Sequence, residues 1–102
     1  MAEKKFLCAT SDVAPGKKKR MVVDGHAYMV VNVDGHFYVT DDTCTHAQAS
    51  LTAGVLEGCE IECPLHGARF DVRTGEVKVL PAVLPLKTYK VEVEEGKIFI
   101  IL

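Results

Sequence analysis

The sequence predicts an all-β fold, an antiparallel sandwich or small barrel. Three observations carry that prediction. Asp24-Gly25 and Asp34-Gly35 are hairpin turn signals, because both central positions of a type I′ turn need a positive φ. The segments around them are rich in Val, Tyr and Phe, which suit a pleated, half-buried surface. No stretch sustains the apolar period of a helix.

The elements follow in order. Residues 5–10 read as a first strand, and 11–16 as a turn segment punctuated by Pro15-Gly16. The basic run Lys17-Lys18-Lys19-Arg20 leads into a strand at 21–23. Charges there protect a solvated sheet edge, with contact to an acidic partner as the alternative. Residues 26–33 and 36–40 complete a three-stranded meander. His26 and His36 each follow an Asp-Gly turn, with no cysteine nearby, and read as surface turn histidines. Residues 51–56 have room for a helical turn, limited by Gly54. Strands are expected at 59–62, 69–72 and 76–80, with Thr74-Gly75 turning between the last two. The imperfect alternation of 86–94 still favours strand. Glu95-Gly96 then turns the chain into an apolar closing strand at 97–102.

Composition bounds the function. At 102 residues the chain fits a single domain, 1–102. A formal net charge of −2 argues against a nucleic-acid partner. No apolar run is long enough to span a membrane, and residues 1–6 are too polar for a signal peptide. A cytoplasmic monomer is the expectation. Of four cysteines, Cys8 and Cys59 lie in strand-like segments and read as free buried thiols. Cys59 is also a weak alternative metal ligand.

The chemistry lies in two short boxes, Cys44-Thr45-His46 and Cys63-Pro64-Leu65-His66 followed by Gly67. Sixteen residues separate His46 from Cys63. Two thiolates and two imidazoles make either a tetrahedral zinc site or a mixed-ligand [2Fe-2S] cluster. Zinc modules usually pair like with like, Cys with Cys and His with His. Here each box carries one of each, an arrangement suited to a diiron cluster whose two irons both loops span.

The paired boxes resemble those of Rieske [2Fe-2S] proteins, in which two histidines replace two cysteines on one iron. The resemblance covers nearly the whole chain and implies the Rieske fold, a sandwich base with an inserted cluster-binding subdomain at about 43–69. It implies one [2Fe-2S] cluster, with Cys44 and Cys63 on the buried iron and His46 and His66 on the outer iron at the tip. Segment 81–86 resembles the proline-bearing third loop that packs beside the cluster. High-potential Rieske proteins add a cysteine to each box and place Ser and Tyr after the second. The matching positions here are Ala49, Leu65, Ala68 and Phe70, so the resemblance implies a potential at the low end of the Rieske range. It also implies that the potential falls as pH rises through the histidine transitions.

This departure points to soluble ferredoxins of bacterial aromatic-ring dioxygenase systems. The implied role is a one-electron carrier, not itself an enzyme. Its partners would be a flavin-dependent ferredoxin reductase and a terminal oxygenase. An oxygenase subunit is not expected, because only His26 and His36 remain for a second iron site. The alternatives are a small Rieske subunit of a nitrite reductase or other multi-subunit oxidoreductase, and a structural zinc-binding module. Gln48, Pro64, Leu65 and Pro81 are candidate rim residues for docking. Asp41, Asp42 and Glu57 either steer a basic partner or are ordinary surface charges.

Overall fold

A computed structural model describes residues 3–45, 49–65, 67–80 and 84–102. The chain forms β1 (Lys4–Ala9), β2 (Lys18–Val23), β3 (His26–Val33), β4 (His36–Asp41), β5 (Val55–Glu57), β6 (Glu60–Glu62), β7 (Arg69–Asp71), β8 (Val77–Val79), β9 (Thr88–Glu94) and β10 (Lys97–Ile101). The only helical elements among the described residues are two single 3₁₀ turns, Thr10–Asp12 and Leu51–Ala53. The all-β expectation holds.

The Asp-Gly pairs act as the sequence predicts. Asp24 and Gly25 have φ of 52° and 79°, and Asp34 and Gly35 of 51° and 89°. Glu95 and Gly96 repeat the pattern at 48° and 74°. Two-residue loops of this twist fix the register, pairing Val23 with His26, Val33 with His36 and Glu94 with Lys97.

The strands form two antiparallel sheets. One has six strands in the order β1-β10-β9-β4-β3-β2, the other four in the order β5-β6-β7-β8. The smaller sheet is an insertion, since β4 pairs directly with β9 through Val39–Tyr89 and Thr40–Thr88. Its strands run on past Arg69, the end of the segment 43–69, to Val79. As expected of the basic run, β2 is an edge strand, and Lys17 and Lys19 are exposed.

β3 divides the interior. Its residues Tyr28, Met29, Val30 and Val31 are all buried, and successive side chains point to opposite faces. Tyr28 and Val30 join Leu7, Val13, Val39, Ile98 and Ile100 in one core. Met29 and Val31 join Leu51, Ile61, Phe70, Val72 and Leu86 in a second. The second core glues the inserted sheet to the larger one, and Cys44 and Cys63 belong to it.

One local expectation holds and one is corrected. The helical turn expected within 51–56 is Leu51–Ala53, ended at Gly54, and residues 55–57 add a strand because Gly58, at φ 59°, turns β5 back onto β6. That places Cys59 in the turn, half-buried, with its sulfur 4.0 Å from Asp71 Oδ2. Cys8 is buried in β1 as expected, and burial pushes its thiol pKa up.

Candidate metal centre

Each cysteine box is a closed loop rooted in a strand. The first leaves β4, and a bridge between Thr43 and Ser50 closes it. Inside that bridge the Cys44 N–H donates to the Ala49 carbonyl at 3.0 Å. The second box joins β6 to β7, which pair through Glu62 and Arg69. Inside that pair the Cys63 N–H donates to the Ala68 carbonyl at 2.7 Å. In both boxes the cysteine amide thus bonds the carbonyl of an alanine five residues on. Gly54 ties the two together, for a Cβ there would lie 1.8 Å from the Glu62 carbonyl oxygen.

The two cysteines meet. Cys44 is 4% exposed and Cys63 1%, both are free thiols of one core, and they are close enough for Cys44 to affect the Cys63 thiol. Burial pushes the Cys63 thiol pKa up, the Leu65 N–H bonded to its sulfur opposes that, and Cys44 adds to the rise. Two adjacent buried thiolates repel each other unless a cation compensates them. Iron is such a cation, and soft thiolates suit iron–sulfur clusters. The donor set therefore fits the cysteine side of a [2Fe-2S] cluster. His46 and His66 lie outside the described residues, as do Gln48 and Pro81. Among the described residues no third His, Cys, Asp or Glu completes a metal-binding group.

The surroundings of the first box hold what the sequence reading missed. Asp42 is not a surface charge: its side chain is 2% exposed. It accepts from Ser50 Oγ at 2.7 Å, the Thr52 N–H at 3.0 Å, Thr52 Oγ1, and Arg20 Nε at 3.0 Å. Burial alone would raise its carboxyl pKa, but the bonds from Ser50, Thr52 and Arg20 together hold it below the usual carboxylate range. The hydroxyl residues eight and ten positions on were the available local signal. Arg20, taken as one more solvated edge charge, comes from a distant strand.

His26 is exposed but not idle. Its Nε2 lies 2.7 Å from Asp41 Oδ1, and the Tyr89 hydroxyl donates to the same oxygen at 2.5 Å. Burial and the bond to Asp41 push the Tyr89 phenol pKa up. These contacts pin β3, β4 and β9 together where the chain enters and leaves the inserted sheet. Glu57 is exposed and pairs with Arg69, which also meets Glu60 and Glu62. His36 is exposed.

The third loop also reaches the first box. Thr45 Oγ1 donates to the Leu84 carbonyl at 2.8 Å, while residues 81–83 lie outside the described residues. Leu65, Leu80 and Leu84 are 48%, 71% and 61% exposed, and Pro64 is exposed beside Leu65.

The Rieske [2Fe-2S] domain profile matches residues 3–90. The p-cumate 2,3-dioxygenase system ferredoxin component of Pseudomonas putida is 47% identical over 96 residues, covering 92% of this chain and 81% of the relative. The structure of Sphingomonas yanoikuyae B1 ferredoxin superposes with a TM-score of 0.92 at 42% identity, covering 96% of this chain and 97% of that one. A chain from a complex of reduced oxygenase and oxidised ferredoxin in carbazole 1,9a-dioxygenase superposes at 0.90 with 43% identity, covering 95% of this chain and 91% of its own. With two cysteine loops converging on one buried point, and these relatives along nearly its full length, the chain belongs to the Rieske [2Fe-2S] domain family and is similar throughout to the ferredoxin components of aromatic dioxygenase systems.

Proposed function

We propose that this chain is a one-electron carrier, taking electrons from a flavin-dependent ferredoxin reductase and delivering them to a terminal aromatic-ring-hydroxylating dioxygenase. One observation carries the reading: Cys44 and Cys63, from separate loops, place two buried thiols side by side. A bound [2Fe-2S] cluster supplies reversible one-electron chemistry at a potential its ligands and neighbours set. Cys44 and Cys63 would hold one iron of that cluster, and His46 and His66 the other. The Leu65 N–H bonded to the Cys63 sulfur favours the anionic ligand. The exposed Leu65, with Pro64 and Leu84, offers an apolar surface beside the cysteine boxes where a partner docks.

Similarity to a ferredoxin solved with its oxygenase supports the oxygenase as acceptor, and the ferredoxin names of the relatives support a carrier role. No helix among the described residues is long and apolar enough to cross a membrane, which fits a carrier moving between partners.

Electron paramagnetic resonance before and after dithionite reduction tests the reading. A new signal with the low average g of a histidine-ligated diiron centre is expected. Cys44→Ala and Cys63→Ala should abolish it, while Cys8→Ala and Cys59→Ala should keep it. A signal at the higher average g of an all-cysteine cluster, or zinc in place of iron, would overturn the reading.

A further inference from the structure

Asp42 is a buried carboxylate at the root of the first box, two residues before Cys44. Two extended residues span at most about 7 Å between Cα atoms, so the Asp42 backbone lies close to that of Cys44. Its four bonds use both oxygens. Oδ1 accepts from the Thr52 N–H and hydroxyl, and Oδ2 from Ser50 and Arg20. The Asp42 carbonyl also accepts the Leu51 N–H at 2.7 Å. Asp42 therefore fastens both ends of the loop that presents Cys44. A loop could be fastened by a neutral amide, by backbone bonds or, as at the root of the second box, by a partly exposed ion pair such as Glu62 with Arg69. An ionised group here adds a fixed negative charge, offset only by Arg20, whose own side chain is 52% exposed.

We propose that Asp42 is a positioning residue for the cluster, and that its buried charge, balanced by Arg20 across the β2 edge, holds the reduction potential down. The inference rests on the cluster reading above. Reduction adds an electron to the cluster, and a nearby anion screened by little water opposes that addition. Removing the anion should raise the potential. Removing the cation should lower it, by less, because solvent screens a half-exposed guanidinium.

The test is a redox titration of the intact holoprotein, followed by its resonance signal. Asp42→Asn keeps the shape and one acceptor oxygen but removes the charge. It should shift the one-electron equilibrium about tenfold toward the reduced form, about 59 mV upward. Arg20→Met should shift it about threefold the other way, and Arg20→Lys should return it to the wild-type value. Opposite shifts from the two halves of one ion pair support the proposal, because loosening of the loop would move both variants the same way. Shifts of one sign, or none, overturn it. If Asp42→Asn fails to load cluster, Arg20→Met and Arg20→Lys decide alone, since Arg20 sits on an exposed edge strand. A wild type without the signal overturns the cluster reading itself, a result distinct from a signal whose potential ignores Asp42 and Arg20.

Discussion

Asp71 shows how much one carboxylate does away from the cysteines. It is buried at the end of β7 and takes the Arg73 N–H at 2.8 Å, Nε at 3.1 Å and Nη2 at 2.8 Å. The bonds from Arg73 outweigh burial and hold its carboxyl below the usual range. A folded pKa below the unfolded value of about 3.9 means that the unfolded chain binds the proton more readily. The pair's stabilisation is therefore fully present above about pH 4 and fades as pH falls further, through the folded value. Asp71→Asn should cost about 1 kcal/mol at neutral pH, a modest figure because Arg73 is half exposed to solvent. Urea unfolding followed by circular dichroism at pH 7 and pH 3 checks this. The gap between variant and wild type should be full at pH 7 and smaller at pH 3. A gap that widens in acid would mean the pair is not what Asp71 contributes.

At the scale of elements, glycines separate two kinds of constraint. Gly25 has a φ of 79° and empty space where a Cβ would sit, so Gly25→Ala should cost only the conformational strain, about 1 kcal/mol. Gly75 has a φ of 81°, and a Cβ there would lie 1.9 Å from the Leu86 carbonyl oxygen. The Leu86 N–H in turn donates to the Gly75 carbonyl at 2.8 Å. Alanine at Gly75 must part the inserted sheet from the strand that returns to β9, and should cost about 2–4 kcal/mol. Parallel denaturant titrations of the two variants read the difference directly, and equal losses would refute the close approach. The same contrast explains what the sequence could tell. The three turns before β3, β4 and β10 are local, since an Asp-Gly or Glu-Gly pair carries the needed φ in its own residues. The cysteine boxes were legible because their chemistry is written in adjacent letters. The β5–β6 hairpin was obscured by a short apolar run that also suits a helical turn. The role of Asp42 was hidden because its partner Arg20 is 22 residues away and looked like any edge charge. The contacts of His26 were hidden likewise, since Tyr89 reaches it only once β9 has paired with β4.

At the scale of the molecule, the two cores assign different work to the two sheets. The core of Val30, Val39, Ile98 and Ile100 holds the larger sheet together and includes neither Cys44 nor Cys63. The core of Met29, Ile61, Phe70 and Leu86 contains Cys44 and Cys63, so the site is anchored in a buried layer rather than hung on a free loop. Outside that layer the surface changes character. Leu65, Leu80 and Leu84 stand exposed, each near a cysteine box or the loop tied to Thr45. A contiguous exposed apolar patch marks a contact surface, whereas single exposed apolar residues are ordinary. Leu65→Gln keeps the size and the backbone N–H but makes the side chain polar without adding charge. It should raise the KM for this chain in oxygenase turnover about tenfold, equivalent to about 1.4 kcal/mol of lost contact, while kcat and the reduction potential stay at wild-type values. Steady-state turnover with the reductase in excess, alongside a redox titration, separates the possibilities. An unchanged KM would remove Leu65 from the docking surface. A KM change matched by a shift in potential would place its effect on the cluster instead, because a residue that only contacts the partner has no means of altering the driving force.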